Sequence, residues 1–244
     1  MTTDEKAFLD ENGYVVLPQA IGTDAADELR ERTLELAAQE RAASGESALY
    51  LDGTSQRVWN LLSKGECFER AIVNPRILEF QQYLLGDDCV LSSFTGNLIG
   101  PGALPSDLHI DFPMGDMPVP LPSWTFCANS VYILTDFTKA NGATCVIPGS
   151  HERGFGPKHD ETCNDIIQLE GAKGDVVIFN GLIWHGSGAN HTDSMRVGLL
   201  GFYCRPFIRP QQNHLELVSE DVWQRATPVM RRLLGEGAKE PARY

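Results

Sequence analysis

Three residues of this chain could share one metal ion: His109 and Asp111, two positions apart, and His185, 76 positions downstream. Two imidazoles and one carboxylate suit one face of an octahedral metal and leave three positions open. That set fits non-haem Fe(II), which must hold a co-substrate and O2 together. On an extended segment, period-two alternation would turn His109 and Asp111 onto the same face. Arg196 lies eleven positions beyond His185. Its planar fork can grip a carboxylate through two parallel hydrogen bonds, so it could hold the far end of a keto acid chelated to the iron. The expected chemistry is that of an iron- and 2-oxoglutarate-dependent oxygenase. The plain alternatives are a surface turn at His109 and Asp111, a satisfied core histidine at His185, and a surface ion pair between Arg196 and Asp193. Each of these accounts for only part of the set, and none accounts for its order.

Holding such residues together requires a strand-rich frame. From residue 90 onward, short runs of Val, Ile, Phe and Thr alternate with Gly, Pro, Asn and Asp clusters, the texture of a β-sandwich or barrel. The predicted strands cover 90–98, 124–134, 144–147, 165–168, 175–179, 185–186 and 197–204. The proline-rich stretches 101–105 and 112–122 cannot be central strands and read as loops at the mouth of a site. The N-terminal third is different. A short strand pattern closes at 13–17, and Thr23 with Asp24, Asp27 and Glu28 opens a helix reaching about 43. Residues 44–54 read as a loop. Helical composition over 67–85 is broken near Asn74-Pro75 and stops at Gly86. It returns at 219–234, interrupted at Pro228. With no repeat or linker, the expected organisation is one domain, 1–244: a helical part to about 89, a β core from about 90 to 210, and a C-terminal helix at about 219–235.

Bulk properties narrow the partners. A formal net charge of −13 argues against nucleic acid, which needs positive surface. No apolar run is long enough to span a membrane. The six cysteines are dispersed without a Cys-x-x-Cys pair, and the N-terminus lacks a secretion-signal pattern. Reduced thiols, a cytoplasmic location and no structural zinc are therefore expected. The remaining partner class is a small molecule; composition leaves the oligomeric state open.

The ordered motifs resemble the phytanoyl-CoA dioxygenase (PhyH-like) family of Fe(II)/2-oxoglutarate oxygenases. The resemblance runs through Gly13-Tyr14-Val15-Val16-Leu17, Leu108-His109-Ile110-Asp111 and Leu134-Thr135-Asp136-Phe137-Thr138. It continues in Asn141-Gly142-Ala143-Thr144-Cys145-Val146-Ile147-Pro148-Gly149-Ser150-His151, Gly174-Asp175-Val176-Val177 and Trp184-His185-Gly186, with Arg196 at the family spacing. It implies a mainly β fold with flanking helices, a double-stranded β-helix or cupin-like jelly-roll barrel, with iron at its mouth. It also implies that the Thr144 hydroxyl shares the distal carboxylate of 2-oxoglutarate with Arg196. Substrate oxidation would accompany loss of succinate and CO2, hydroxylation being the default and desaturation, epoxidation or ring rearrangement the natural-product variants. Asp111 argues against a halogenase. One departure stands out: Ser106 occupies the place of a glutamine that contacts the co-substrate in some relatives, leaving Asn97 or Asn129 as replacements.

Around this set, Phe112, Met114, Trp124 and Trp184 are candidate linings of an apolar substrate pocket, with ordinary core packing as the alternative. Arg57, Arg205 and Arg209 are candidate partners of a substrate carboxylate, with a solvated surface as theirs. Pro148-Gly149-Ser150-His151 reads as architectural, and His159, His191 and His214 as surface residues. A small apolar or amphipathic metabolite is the expected substrate. Two other classes compete: a metal cupin that needs no keto acid, which leaves Arg196 and Thr144 unexplained, and a catalytically silent jelly-roll binding module, which has no reason to keep all three ligands.

Overall fold

The computed structural model describes residues 1–49, 53–159 and 163–237. Nine strands and seven α-helices are assigned among them. The helices are α1 (Thr3–Asn12), α2 (Thr23–Ser44), α3 (Glu66–Ile72), α4 (Pro75–Leu85), α5 (His214–Leu217), α6 (Glu220–Arg225) and α7 (Pro228–Leu233). The strands are β1 (Tyr14–Leu17), β2 (Gln56–Val58), β3 (Val90–Ile99), β4 (Cys127–Ile133), β5 (Thr144–Val146), β6 (Ile167–Leu169), β7 (Val176–Asn180), β8 (His185–Ser187) and β9 (Arg196–Cys204).

Two antiparallel sheets face each other. The larger runs β1-β7-β4-β9-β3-β2 and the smaller β6-β5-β8. Val131, Ile133, Val177 and Phe179 of the large sheet meet Val146 and Leu169 of the small one in an apolar layer. Among the described residues no strand ladder joins the sheets, so the expected jelly-roll is a sandwich that is not closed into a barrel. The short strands of the small sheet, three residues each, leave too few backbone pairs to carry closure.

The helices cover the outer face of the large sheet. On α2 the buried positions Ala26, Leu29, Thr33, Leu36 and Ala37 follow helical spacing. Gly96 of β3 lets this helix approach closely, since a Cβ there would stand 2.9 Å from Thr33 Cγ2. The break at Asn74-Pro75 separates α3 from α4: the Asn74 side chain accepts from the Arg76 and Ile77 amides, and proline occupies the first helical turn. Leu29, Phe68, Ile77 and Phe80 then join Phe94 and Tyr132 in the largest core. The interruption at Pro228 likewise splits the C-terminal helix into α6 and α7.

Two elements carry no clear sequence signal. Helix α1 precedes the strand pattern at 14–17, held by a Thr2–Glu5 capping box. Strand β2 lies just beyond the predicted loop 44–54, of which residues 50–52 fall outside the described set. Gln56-Arg57-Val58 is too short and polar to stand out; it forms because β3 offers it an edge, Arg57 opposite Asn97. Among the described residues no helix is long and apolar enough to cross a membrane.

Candidate active site

Period-two alternation selects the residues that face the space between the sheets. Strand β9 contributes Arg196, Leu200 and Phe202, β3 contributes Thr95, Asn97 and Ile99, β4 contributes Asn129 and Val131, and β7 contributes Phe179. The small sheet supplies Thr144, His185 and Ser187. Together they wall a cavity of about 540 Å³, to whose lining the exposed Trp59 and Leu104 also contribute.

His109 and His185 are brought together by the backbone itself. Each donates its amide to the other's carbonyl, at 2.9 Å both ways, an antiparallel bridge across 76 residues. The Asp111 amide donates to Gly181 O at 2.9 Å, fixing the same segment one step on. The two imidazole centroids lie 4.3 Å apart, and His185 Nε2 is 3.7 Å from Asp111 Oδ1. One ligand atom from each of His109, Asp111 and His185 lies within 4.8 Å of the others. Each imidazole Nδ1 sits near a backbone carbonyl two residues back, Asp107 O at 3.1 Å and Ile183 O at 3.0 Å. A proton on Nδ1 in that contact leaves Nε2 free to coordinate. Asn129 Nδ2 donates to Asp111 Oδ2 at 2.8 Å, orienting the carboxylate, and Phe179 packs on His185 with centroids 4.6 Å apart.

Electrostatics point the same way. Burial pushes the Asp111 carboxyl up to about 6, against the opposing pull of His109 and the Asn129 hydrogen bond. Burial holds His185 down to about 4. His109 stands at the open side of the trio, and desolvation followed by repulsion from His185 lowers it too. A buried carboxylate beside two neutral imidazoles is costly alone and is the donor set a divalent cation compensates. The residues fit a metal.

Arg196 is 2% exposed although it begins a strand. Its Nη1 donates to the Gly142 carbonyl, and its guanidinium lies over the Phe137 ring, 4.3 Å from the centroid. Gly142 adopts φ of 84°, and a Cβ there would meet Gly188 O at 2.6 Å, so only glycine presents that carbonyl. The Arg196 Nε is buried with no partner among the described residues. Burial, followed by the charge of Arg57, lowers the Arg196 pKa to about 9, which leaves it cationic at neutral pH. Thr144 lines the same cavity from β5.

The structure gathers His109, Asp111, His185, Thr144 and Arg196 on one cavity, and places Asn97, Asn129 and Arg57 on it as well. It does not gather the four expected apolar linings. Met114 and Trp184 are buried in a separate core, the Trp184 indole donating to Phe155 O at 3.0 Å. Phe112, in the proline-rich 112–122 loop, and Trp124, just ahead of β4, are exposed outside the cavity. Trp59, Ile99, Leu104 and Phe202 are the apolar walls instead; counting in twos from Arg196 reaches Leu200 and Phe202, but nothing in the sequence marks Trp59 or Leu104. Arg205 is structural, with Nε donating to Thr125 O and its plane over Trp124. Ser150 Oγ accepts from the Trp184 amide and donates to Ile147 O, as an architectural serine should. His214 is corrected from surface to core: α5 turns it inward, and it is 5% exposed.

Fold and site together define a class, a jelly-roll protein whose His109, Asp111 and His185 could hold a metal ion. The chain belongs to the phytanoyl-CoA dioxygenase (PhyH) family, whose profile matches residues 9–198. It is 31% identical over 239 residues to dioxygenase af480 of Aspergillus fumigatus, covering 95% of this chain and 76% of that one. Dioxygenase aneA of Aspergillus aculeatus is 30% identical, with 94% and 76% covered, and dioxygenase FUM3 of Gibberella moniliformis is 31% identical, with 69% and 56% covered. The same fold occurs in HygX from Streptomyces hygroscopicus with nickel and 2-oxoglutarate bound: TM-score 0.69, 16% identity, 86% of this chain and 89% of that one. It occurs also in EctD from S. alaskensis with 2-oxoglutarate and 5-hydroxyectoine: TM-score 0.68, 22% identity, 84% and 76% covered.

Proposed function

We propose that this chain is a non-haem Fe(II)- and 2-oxoglutarate-dependent oxygenase that oxidises a small organic metabolite, most simply by hydroxylation. The observation that carries this reading is the convergence of three ligand atoms within 4.8 Å on a cavity whose wall holds a buried arginine with an unpartnered Nε. Bound there, Fe(II) with 2-oxoglutarate and O2 supplies the oxidising power: one oxygen atom enters the substrate, the other enters succinate, and CO2 leaves. Everything else is the protein's part. His109, Asp111 and His185 hold the metal, and Asn129 keeps the Asp111 carboxylate aimed at it. Arg196 takes the far carboxylate of 2-oxoglutarate with Thr144 beside it, a charge-assisted grip made stronger by the low-dielectric wall of Phe137. Val131, Leu200 and Phe179 give the reacting end an apolar lining that keeps water from the bound groups.

The substrate class draws support from the fungal dioxygenase relatives, from hygromycin B bound in HygX, and from 5-hydroxyectoine bound in EctD. These favour a natural-product pathway, with desaturation or ring rearrangement as variants of the same site. Residues 1–244 act as one unit in this reading. Free thiols at Cys67, Cys89, Cys127, Cys145 and Cys204 suit a reducing cytoplasm.

The test is an anaerobic titration of the Fe(II)-loaded protein with 2-oxoglutarate. Chelation yields a weak visible charge-transfer band that succinate does not produce. A folded, iron-loaded protein without that band overturns the assignment.

A further inference from the structure

Beyond β9 the chain returns to β3 and is fastened there by two consecutive glutamines. The Gln212 amide donates to Ser92 O at 2.9 Å, its Oε1 accepts from the Phe94 amide at 3.1 Å, and its Nε2 donates to Asn60 Oδ1 at 2.9 Å. The Gln211 amide donates to Ser92 Oγ at 2.9 Å, and its Oε1 accepts from Ser93 Oγ at 2.7 Å. A bulge makes the last contact possible. Val90 packs with Phe202 and Cys204 on the cavity side of the sheet, so strict alternation would turn Ser92 inward and Ser93 away. The β3–β9 register slips between Leu91 and Ser93, which reverses the phase and sets Ser93 on the cavity with Gln211 beside it. With Oε1 engaged, the Gln211 Nε2 donors have no partner among the described residues. We infer that Gln211, oriented by Ser93, is a specificity-determining residue that binds a hydrogen-bond acceptor, a carbonyl or hydroxyl oxygen, on a neutral amphipathic substrate.

Strand register places this pair relative to the metal ligands. Ser93 lies opposite Phe202, Phe202 opposite Asn129 and Asn129 opposite Phe179, one row across β3, β9, β4 and β7. At one end of the row Asn129 bonds Asp111 and Phe179 packs on His185. At the other end stand Ser93 and Gln211, with Phe202 between. Arg196 belongs to a different row, opposite Ile99 at the far end of β9. The inference rests on the function proposed above. On that reading 2-oxoglutarate runs along the strands toward Arg196 and leaves the Phe202 half of the metal row to the substrate. The apolar body of the substrate then lies on the Phe202 ring and its polar end meets the Gln211 amide, an uncharged donor suited to an uncharged acceptor. Neighbouring strands are about 4.8 Å apart, so Ser93 stands about 10 Å from Asn129. The carbon that is oxidised is therefore several bonds away from the acceptor group.

The test uses the intact Fe(II) protein, anaerobic and saturated with 2-oxoglutarate. It reads the perturbation of the charge-transfer band by acetophenone, with ethylbenzene as the matched probe that lacks the oxygen. Gln211→Leu removes the donors, Gln211→Glu keeps an acceptor for Ser93 but offers no donor, and Ser93→Ala removes the group that orients the amide. Each variant is first shown to melt like the wild type. The wild type should bind acetophenone about fivefold or more tightly than ethylbenzene, the size of one net hydrogen bond. Both Gln211 variants should abolish that preference by weakening acetophenone alone, and Ser93→Ala should reduce it in part. A wild type without the preference, or one that persists in both Gln211 variants, overturns the inference. Equal weakening of both probes makes Gln211 a shaper of the cavity and overturns it as well. A wild type that gives no band with 2-oxoglutarate fails the proposed function itself, and this inference falls with it.

Discussion

His185 and His214 are both buried imidazoles, and burial holds each of them down to about 4, yet their surroundings differ. His185 looks into the larger cavity, beside Asp111 and His109, with Arg196 on the same wall. His214 borders a smaller cavity of about 280 Å³ among Val90, Leu91, Pro206, Leu215 and Leu234, where Arg209 also lines the wall and the described lining holds no carboxylate. Its Nε2 has no partner among the described residues. A depressed pKa therefore records burial alone. What makes the first region a candidate site is that ligands of complementary charge converge there, held by backbone bonds that leave little freedom to separate.

Four substitutions would break or sharpen that contrast. The largest effect is expected from Asp111→Ala, which removes the only carboxylate of the trio. Fe(II) affinity should fall by more than about 100-fold, beyond what loss of an outer hydrogen bond costs; unchanged affinity in a metal titration would dismiss the triad. Next, Arg196→Ala should raise the KM for 2-oxoglutarate about 10- to 100-fold, the size of a lost charge-assisted contact, with iron affinity nearly unchanged. Asn129→Ala should weaken Fe(II) binding about tenfold, because Asp111 loses the donor that aims it. At the small end, His214→Phe should leave both affinities alone and change only acid stability.

That last expectation has a definite sign. The folded-state pKa of His214 lies below the unfolded value, so the unfolded chain takes up the proton first. Its stabilising contribution is present above about pH 6.5 and is lost as pH falls toward 4. The phenylalanine variant should therefore lose about 2 kcal/mol less than the wild type between pH 7 and pH 5, measured by urea unfolding. Equal acid sensitivity in both proteins would mean that His214 takes up its proton equally readily in the folded and unfolded chain, so that its folded pKa is not lowered.

Much of this was legible beforehand where the physics is local. The expected strands from 90 to 204 fall on β3 through β9 within a few residues, because period-two alternation and turn chemistry act over short stretches. The helix break at Asn74-Pro75 is equally local, since proline cannot continue a helix. His109, Asp111, His185, Thr144 and Arg196 were visible by residue type and order, and the same reading gave the family. The four apolar linings were misplaced because nearness in sequence to a ligand says little about direction: Trp184 adjoins His185, yet the strand turns successive side chains to opposite faces. Strand β2 left no trace of its own, for Gln56-Arg57-Val58 becomes a strand only where β3 presents an edge.

The sequence by itself determined the types and order of the chemical groups and the short-range conformations that carry them, because propensity, alternation and proline geometry are properties of neighbouring residues. Only the tertiary structure decided which groups meet. The His109–His185 bridge, the burial of Arg196 over Phe137 and the turn of Arg57 toward Thr95 join segments tens of residues apart. Pairing and burial of that kind depend on the whole packed arrangement, where one strand's register fixes every side chain on its face.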